Sequence, residues 1–365
     1  MRVFLSATSL ARAYGGPALS VLRLGEALQA CGAEVGLWSA DGSRPDHPST
    51  LGILGGSLEQ ALHDFGDPDV VHDNGLWLRH NHRLATIGRR SGWPRFVSPR
   101  GMLEPWAMKH KRGKKWVAWT LYQKRDLDTA DRLHATSTLE AVNMSRLGFR
   151  PPVDVIPNGI DLVDRPVVES AWASKSDRPS RRRAVFVGRL HPVKNLTALI
   201  DAWARAAPRH WELVLAGPDE DGHRALLENR IARLGLGQAV TLPGPVGVAE
   251  KRALLLSADL FVLPSFQESF GMAVGEALAH GLPSITTTGT PWEALPAERA
   301  GWRIAPTVDA LTAALLEATG ITDLERRAMG SAAYALVARS YSWTSVGEKV
   351  LQCYRATLAE GSRVS

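Results

Sequence analysis

The chain has 365 residues, enough for two domains of ordinary size, and its 45% hydrophobic and 22% charged residues are typical of a soluble globular protein. Its two cysteines, Cys31 and Cys353, form no CxxC pair and no cluster with histidine, which excludes a disulfide framework and favours the cytosol. No apolar run reaches the roughly 18 residues that a membrane-spanning helix needs, so none is predicted.

The net charge of +6 is unevenly distributed. Residues 79–150 contain 16 lysines and arginines against five acidic residues, so the rest of the chain is net negative. This basic region in the first half of the chain predicts acidic partners.

Strand-like and helix-like segments alternate through the first half of the chain. The N-terminus superficially resembles a signal peptide, but its apolar part is short and interrupted by Ser6 and Thr8, which favours a first strand. Strands are predicted at 3–7, 34–38, 70–72, 95–98, 132–136 and 153–156, and helices at 19–30, 58–65, 84–91, 108–127 and 139–147. This alternation indicates a parallel sheet that is covered on both faces.

A polar stretch rich in Ser, Arg and Pro, residues 164–183, interrupts the pattern and is predicted to be a linker. Strands are then predicted at 184–187, 211–216, 239–242, 260–263 and 284–287, and helices at 196–207, 224–234, 251–257, 273–280, 311–316, 324–341 and from 342 onward. The pattern predicts an α/β protein with two doubly wound domains, residues 1–163 and 184–341, that face each other across a cleft.

Two glutamates, Glu268 and Glu276, lie on a predicted strand–loop–helix segment. The strand ends at Pro264 and the helix ends at Gly281, so Glu268 is expected in the loop and Glu276 about one turn into the helix. Backbone amides at the start of that helix lack partners and suit an anionic or hydroxyl-rich ligand. An ordinary turn with a capping acid and a solvated glutamate explains the spacing equally well.

A second loop follows predicted strand 184–187 and carries Gly188, Arg189 and Lys194. The glycine permits close approach of the backbone, and the two cations can converge on a phosphate. A loop with two solvated cations is the alternative. Together the two loops favour a nucleotide-sugar ligand, because cations suit its diphosphate and carboxylates accept hydrogen bonds from its hydroxyl groups.

Ordered motifs in residues 155–283 resemble those of family 4 glycosyltransferases, which include bacterial enzymes that make cell-surface polysaccharide and lipopolysaccharide. The motifs are VIPNGID at 155–161, VGRL with Lys194 at 187–194, LAG at 215–217, VTLPG at 240–244 and the segment from Glu268 to Pro283. The resemblance implies the GT-B fold, with two Rossmann-like domains and the donor bound mainly by the C-terminal one. It also implies that the last segment, 342–365, crosses back to the first domain.

The resemblance also implies a role for each matching residue. Arg189 and Lys194 would stabilise the diphosphate as its bond to the sugar breaks, Glu268 would bind the donor sugar, and Glu276 would hold the ribose. The donor-binding set further includes Gly15, Gly16, Gly188, Leu242, Ser269, Phe270, Gly271, Met272 and Ala273. The family retains anomeric configuration without a divalent metal, by front-face attack through an oxocarbenium-like state. Glu268 would then be a positioning acceptor, and no cofactor is expected beyond the nucleotide-sugar co-substrate.

The chain departs from the family pattern after predicted strand 95–98, where many relatives carry a histidine near the donor sugar. Arg100 occupies that place here, and the nearby loop with His72 and Asn74 is an alternative source of the contact. A loop-capping role for His72 is equally compatible with the sequence. Pro243 also lacks a backbone donor where relatives often contact the base, so the base stays open.

Two pairs of aspartates superficially resemble metal ligands. Asp67 and Asp69 lie in a predicted turn, and Asp126 and Asp128 lie at a helix end. Neither pair is predicted to bind a metal.

The segment from Lys109 to Lys115 mixes cations with the following Trp116 and Trp119. One interpretation is a solvated helix with its tryptophans packed inward. The other is docking to an anionic membrane surface or a lipid-diphosphate acceptor, because interfacial sites combine Lys and Arg with Trp. A nucleic-acid partner is not expected, since no nucleic-acid module accompanies the segment.

The leading hypothesis is therefore a retaining glycosyltransferase that moves a sugar from a UDP- or GDP-linked donor to a hydroxyl group of a glycan or lipid-linked acceptor. Such an enzyme would work in the cytoplasm, at the inner face of the membrane. A non-hydrolysing nucleotide-sugar epimerase is one alternative, and it would need acid and base carboxylates but no acceptor. A non-catalytic nucleotide-sugar or lipid-binding protein is the other.

Overall fold

Two parallel β-sheets, of seven and six strands, organise the structure, a computed structural model that describes residues 1–11, 14, 16–46, 49–109, 112–175 and 181–361. The chain divides into two compact units, the first formed by Met1–Gly159 with Trp343–Ser365 and the second by Ile160–Ser342. Each unit contains one sheet with helices around it.

The first sheet has the strand order β3-β2-β1-β4-β5-β6-β7, and every pair in it is parallel. Its strands are β1 (Arg2–Ala7), β2 (Glu34–Ser39), β3 (Gly52–Leu54), β4 (Val70–Asn74), β5 (Arg95–Ser98), β6 (Arg132–Ala135) and β7 (Val153–Val155). The central strands are apolar on both sides because helices cover both faces; Val3, Phe4 and Leu5 are completely buried.

The helices of the first unit are α1 (Gly16–Ala30), α2 (Leu58–Phe65), α3 (Arg79–Ser91), α4 (Pro105–Lys109), α5 (Arg112–Ala118), α6 (Lys124–Asp128), α7 (Thr138–Ser145) and α16 (Trp343–Gly361). The single helix predicted over 108–127 is broken into α4, α5, a π-helical turn at Trp119–Gln123 and α6. Strand β3 was not predicted, because its three residues are too few for a visible alternation.

The second sheet has the order β10-β9-β8-β11-β12-β13 and is also parallel throughout. Its strands are β8 (Arg182–Val187), β9 (Trp211–Ala216), β10 (Val240–Gly244), β11 (Leu260–Leu263), β12 (Ser284–Thr287) and β13 (Gly301–Ile304). Its helices are α8 (Arg165–Lys175), α9 (Leu196–Ala206), α10 (His223–Arg233), α11 (Val248–Ser257), α12 (Met272–Ala279), α13 (Ala294–Ala297), α14 (Val308–Gly320) and α15 (Asp323–Ser340).

The segment predicted to be a linker is helical for much of its length. Helix α8 buries Val168 and Trp172 in the core of the second unit, so residues 165–175 belong to that unit and do not form an irregular connection. The polar composition concealed this helix because only one narrow face of it is apolar. Residues 176–180 lie outside the described part of the chain.

Helix α16, the last element, packs against α1 in the first unit and buries Val346, Val350 and Tyr354. The Tyr354 hydroxyl lies 2.5 Å from Nδ1 of His72, and Nε2 of His72 lies 3.4 Å from Nδ1 of His134. Burial lowers the pKa of both imidazoles, so both are neutral. Nε2 of His134 donates to the carbonyl oxygen of Ile156, 2.8 Å away, which leaves its Nδ1 to accept a hydrogen bond from Nε2 of His72. This chain of hydrogen bonds attaches α16 to strands β4 and β6.

In both sheets the chain order reverses at one place, between β1 and β4 in the first and between β8 and β11 in the second. Open parallel sheets bind ligands at the carboxyl ends of the strands that flank such a reversal. In the described residues, no helix combines the length and apolarity needed to span a membrane.

Candidate functional site

The carboxyl ends of β8 and β11 bring two of the predicted loops together in the second unit. The backbone amide of Phe266 donates to the carbonyl oxygen of Val193 over 2.9 Å, which ties the two loops to each other. Beside them, Gly217 has a φ of +150°, and a Cβ there would lie 1.8 Å from the carbonyl oxygen of Gly188. Glycine at 217 therefore allows the end of β9 to lie against the loop that follows β8.

Lys194 and Glu268, predicted from different motifs, are in direct contact. The Lys194 Nζ lies 2.5 Å from Oε1 of Glu268, and each side chain is only 13% exposed. The hydroxyl of Ser265 donates to the same carboxylate oxygen over 2.6 Å. The pairing fixes the Glu268 carboxylate and holds the Lys194 ammonium at the end of the sheet, where a ligand phosphate could replace its partner.

Arg189 is paired with an acid that was not predicted. One of its guanidinium nitrogens lies 2.7 and 2.5 Å from the two carboxylate oxygens of Glu220. The Glu220 amide donates to the carbonyl oxygen of Leu190, which places the loop after β9 beside the loop after β8. The available signal was the acidic run Asp219–Asp221 directly after a strand that neighbours β8.

Glu276 lies on α12, where it accepts a hydrogen bond from Nζ of Lys251 over 2.8 Å. Lys251 is on α11 and was not predicted. Both side chains remain partly exposed, at 26% for Glu276 and 31% for Lys251. Each charged side chain that was predicted to contact the donor in this unit thus has an oppositely charged neighbour.

Helix α12 begins immediately after Gly271, whose φ of +78° is in the left-handed region that favours glycine. The predicted amides of Phe270, Gly271, Met272 and Ala273 lie at this helix start, where backbone donors have no preceding turn to bond, and Ser269 comes just before them. Ser269, Met272 and Ala273 are partly exposed there. The segment can therefore present several donors to one ligand.

A buried tryptophan supports this loop, and it was not predicted. The indole Nε1 of Trp292 donates to the carbonyl oxygen of Phe270 over 2.8 Å. The ring packs against Phe270 and Tyr341, with centroid distances of 5.3 and 4.9 Å. Trp292 is completely buried and Phe270 is 4% exposed, so the Phe270 side chain packs in the core and leaves only its backbone for a ligand.

Leu242 lies on β10, next to an irregularity between Thr241 and Gly244 in its pairing with β9. Its carbonyl oxygen accepts a hydrogen bond from the Arg224 guanidinium over 2.8 Å. The carbonyl oxygen of Leu242 is therefore already occupied by a hydrogen bond within the protein, and the Leu242 side chain is half-buried.

In the first unit, a small cavity lies at the carboxyl ends of β1 and β4, lined by Thr8, Tyr14, Pro17, Asn74, Gly75 and Arg100 among others. Gly16 begins α1 beside it, and a Cβ added to Gly16 would meet no described atom within 4 Å. That open space is compatible with a ligand against the glycine. Gly15 lies outside the described residues.

Arg100 and Asn74 are in contact at this cavity. The Arg100 Nε and Nη2 donate to Oδ1 of Asn74 over 3.0 and 2.7 Å. The Nη1 donates to Oγ of Ser20 over 3.1 Å and to Oδ1 of Asn158 over 3.0 Å. Burial lowers the pKa of Arg100, but only to about 10. This value is still well above 7, so the side chain stays charged at neutral pH.

His72 does not lie in a ligand-facing loop, as one interpretation of the sequence required. It belongs to strand β4, is completely buried, and contacts Tyr354 and His134. Burial lowers its pKa well below 6.5. The strand extends two residues beyond its predicted end because Asp73 and Asn74 also pair with β1. Their polar side chains, which are buried, concealed this from the sequence pattern.

The basic segment has one tryptophan outside and one inside. Trp116 is 66% exposed and Leu121 is 74% exposed, with Val117 beside them, whereas Trp119 packs against Trp77 and Phe149. The Lys115 ammonium donates to the carbonyl oxygen of Ala107. The interpretation with both tryptophans packed inward is therefore wrong for Trp116. His110 and Lys111 lie outside the described residues.

In the described part of the chain, no three His, Cys, Asp or Glu side chains are grouped so that they could hold a metal ion. Asp126, one of the paired aspartates, accepts hydrogen bonds from His82 and Arg89. The Asp69 carboxylate accepts from the backbone amide of Arg2, and the Asp67 carbonyl oxygen accepts from the Arg2 guanidinium.

Two family descriptions match this chain. Residues 181–319 match the family described as "Glycosyl transferases group 1", and residues 45–159 match the family described as "Glycosyl transferase 4-like domain". The first range contains the paired charges of the second unit, and the second range contains Asn74 and Arg100.

Curated relatives include the GDP-mannose:cellobiosyl-diphosphopolyprenol alpha-mannosyltransferase of Xanthomonas campestris. It is 28% identical over 322 residues, which cover 86% of this chain and 78% of that protein. The D-inositol 3-phosphate glycosyltransferase of Thermobispora bispora is 30% identical over 258 residues, which cover 66% of this chain and 60% of that protein. The match thus spans less than two thirds of the inositol phosphate enzyme.

Solved structures share the fold over nearly the whole chain. Sucrose-phosphate synthase from Thermosynechococcus elongatus has a TM-score of 0.73 at 19% identity, covering 99% of this chain and all of that one. HepE of Anabaena, in complex with UDP and glucose, has a TM-score of 0.72 at 18% identity, covering 98% of this chain and all of that one. At these identities the likeness establishes the architecture of two Rossmann-like domains.

Proposed function

This chain is a glycosyltransferase of the GT-B fold, in the group 1 family with a 4-like N-terminal part, and from that premise we propose that its donor is a nucleoside-diphosphate sugar. The acceptor in this proposal is a hydroxyl group of a glycan or a lipid-linked sugar. The contact between Lys194 and Glu268 carries the proposal, because it joins a phosphate-binding cation and a hydroxyl-binding carboxylate at the carboxyl end of one sheet.

The chemistry proposed for this site is charge stabilisation. As the bond between the anomeric carbon and the diphosphate oxygen breaks, the electron pair leaves with the diphosphate, and Arg189 and Lys194 stabilise the developing negative charge. Glu268 accepts hydrogen bonds from the donor sugar, and Glu276 accepts them from the ribose. The acceptor oxygen then forms the new bond on the face that the diphosphate leaves, which retains the anomeric configuration, and the acceptor proton passes to the departing phosphate.

Two relatives support the nucleotide part of the proposal. One is named for GDP-mannose, and HepE was solved with UDP and glucose. A thermal-shift panel of UDP-, GDP- and ADP-sugars tests it, because a ligand that binds only the folded protein raises the unfolding temperature by mass action. We expect a UDP- or GDP-sugar to stabilise the chain, and no shift with any nucleotide-sugar would contradict the proposal.

We also propose that transfer needs no divalent metal. The charged groups at the site include cations that can neutralise a diphosphate without one. Transfer measured with excess EDTA should match transfer measured with added Mg²⁺ or Mn²⁺. A rate that falls in EDTA and returns with metal would contradict this proposal.

We further propose that the first unit docks on an anionic membrane surface. Exposed Trp116, Val117 and Leu121 lie in a strongly basic region, and this combination suits the interface between lipid headgroups and acyl chains. Such docking would bring the enzyme to a lipid-linked acceptor at the cytoplasmic face of the membrane. The name of the Xanthomonas relative, which specifies a diphosphopolyprenol substrate, supports an acceptor of this kind.

A further inference from the structure

Arg100 carries a positive charge that no carboxylate contacts within the described part of the chain. Its hydrogen-bond acceptors are Asn74, Ser20 and Asn158, and all three are neutral. Neutral acceptors need N–H donors but not a charge, so these contacts do not explain why the side chain is a guanidinium. Keeping a charge partly out of water without a counter-ion is costly.

An acid nearby does not neutralise this charge by contact. Glu140 lies close enough to raise the pKa of Arg100, but both of its oxygens are committed elsewhere. One accepts from the backbone amide of Gly101 over 2.6 Å, and the other accepts from the amide and hydroxyl of Thr136, each over 2.7 Å. Arg100 is also the coulombic neighbour that helps to keep His72 and His134 uncharged.

The backbone at Arg100 is strained as well. Its φ is +49°, in the left-handed region that residues other than glycine rarely adopt, at a cost of about 1 kcal/mol or more. Strain of this kind persists where the surrounding structure holds a side chain in a particular place. Here the contacts with α1, with β4 and with Asn158 hold the guanidinium at the cavity.

The cavity offers a second donor beside Arg100. The hydroxyl of Thr8 lines it, is buried, and has no hydrogen-bond partner among the described residues. Arg100 itself has five N–H donors, of which the contacts with Asn74, Ser20 and Asn158 occupy four. The cavity has a volume of about 10 Å³, which is room for one water-sized atom, so it can admit a single oxygen of an oxyanion and not the whole group. A fixed positive charge and two open donors at such a place are the chemistry that binds an oxyanion through that oxygen.

We propose that Arg100 and Thr8 bind an anionic group, a phosphate or a carboxylate, on the acceptor. This inference rests on the proposed function, since it assigns the acceptor to the first unit. It narrows the acceptor from any hydroxyl-bearing glycan to one that carries negative charge close to the hydroxyl that reacts. Anion binding would supply the counter-ion that Arg100 lacks.

The test uses the full chain with Arg189→Gln and Lys194→Gln, which remove the donor-site cations so that anion binding reports the first unit. Inorganic phosphate and D-glucuronate are titrated separately by calorimetry at low ionic strength, where screening is weak. We expect at least one of them to bind, and adding Arg100→Gln to weaken that binding about tenfold or more, since hydrogen bonds to a charged group are the stronger class. A preference for phosphate identifies a phosphorylated acceptor, and a preference for glucuronate identifies an acidic sugar.

Two further variants keep the result interpretable. Arg90→Gln removes the same charge from an exposed position on α3, and it should leave the affinity unchanged. Arg100→Lys keeps the positive charge but loses the planar guanidinium group, so it should weaken anion binding less than Arg100→Gln. It also takes the place of Arg100→Gln if that variant does not fold. Absence of binding by either anion, or equal affinity with and without Arg100, would overturn the inference.

The outcome is separable from that of the proposed function. Nucleotide-sugar binding is measured in parallel on the unmodified chain and on Arg100→Gln alone. If the unmodified chain binds no nucleotide-sugar, the proposed function fails. If both bind it equally and anion affinity does not depend on Arg100, only the anionic-acceptor inference fails.

Discussion

The ammonium group of Lys194 lies against the carboxylate of Glu268, so the proposed phosphate-binding cation is held by the proposed sugar-binding acid. The same arrangement recurs between Arg189 and Glu220. If the proposed function is right, the acid of each pair occupies the position of an anionic ligand. Donor binding would then exchange an internal carboxylate for a phosphate, and the affinity would reflect the difference between the two contacts.

Replacing Lys194 with alanine should lower the turnover number about 10²- to 10³-fold, because it removes a charge that stabilises the departing diphosphate. Steady-state sugar transfer measures the effect. Lys124→Ala is the matched control, since Lys124 forms an ion pair with Asp128 and belongs to the first unit, whereas the donor loops belong to the second. Normal turnover in both Lys194→Ala and Arg189→Ala would contradict the assignment of these residues to the diphosphate.

Replacing Glu220 with glutamine should tighten nucleotide binding about threefold to tenfold at low salt, because the diphosphate no longer competes with a carboxylate for Arg189. Calorimetric titration with UDP or GDP gives the dissociation constant. The gain should shrink as salt is added, since the Arg189–Glu220 pair is partly exposed and screened. Glu228→Gln, which breaks the exposed pair with Arg224, changes the net charge equally and should have no such effect. Weaker binding in Glu220→Gln would show that Glu220 positions Arg189.

Replacing Trp292 with phenylalanine should raise the Michaelis constant for the donor about fivefold, because the carbonyl of Phe270 loses the indole donor that holds the loop before α12. The ring contacts largely remain, so the free energy of unfolding should fall by only about 1–2 kcal/mol. Donor-dependent kinetics and urea unfolding measure the two effects. Tyr341→Phe keeps the neighbouring ring and should leave the Michaelis constant unchanged. A change in unfolding alone would reduce Trp292 to a packing role.

Replacing Trp116 and Leu121 with serine should weaken binding to vesicles that contain phosphatidylglycerol, because it removes exposed apolar surface that inserts at the interface. Truncating the cationic side chains between Lys109 and Lys115 should weaken it too, and most strongly in low salt. Vesicle co-sedimentation measures both. Leu324→Ser, at an exposed position in the second unit, is the matched control. Binding that survives the changes at both Trp116 and Leu121 would exclude this face as the docking surface.

Acid should destabilise the first unit through His134. Burial lowers the pKa of His134 to about 4, against 6.5 for an unburied histidine. Between pH 4 and pH 6.5 the unfolded chain therefore binds more protons than the folded chain. The contribution of this residue to the free energy of unfolding, about 3 kcal/mol, is fully present above pH 6.5 and is lost as the pH falls towards 4. His72, whose pKa is also lowered by burial, adds in the same direction.

Urea unfolding between pH 7 and pH 4 measures this loss. His134→Gln should reduce the slope of stability against pH, because glutamine can still donate to Ile156 but does not titrate. His63→Gln removes a histidine whose side chain is 84% exposed and should leave the slope unchanged. An equal slope in the unmodified chain and in His134→Gln would contradict the assignment.

The sequence predicted most of the elements that are regular over at least four residues and have an apolar side, but it missed the four-residue strand β13. Strands such as β1 and β11 were visible because parallel strands buried on both faces form apolar runs. Helix α8 was not, because only residues such as Val168 and Trp172 on one narrow face are buried and the rest of its surface is polar. The two sheets and the GT-B fold were predicted correctly.

The sequence grouped those candidate site residues that share one loop, and it did not reveal the contacts that join distant segments. Gly188, Arg189 and Lys194 share one loop, so their grouping is visible in the chain. Glu220 reaches Arg189 from the loop after a neighbouring strand, and Trp292 reaches Phe270 from 22 residues away. Such contacts depend on strand order and on the length of the intervening segments, which periodicity does not reveal.

Helix α16 completes the first unit with residues that are translated after the whole of the second unit. The side chains of Val346, Val350 and Tyr354 fill the core beside α1, and the Tyr354 hydroxyl satisfies His72. A nascent chain that has reached Ser342 has all of the second unit but only part of the first. Translation therefore leaves the N-terminal sheet with an open apolar face until α16 has been made, and the later half of the chain is the one that can fold first.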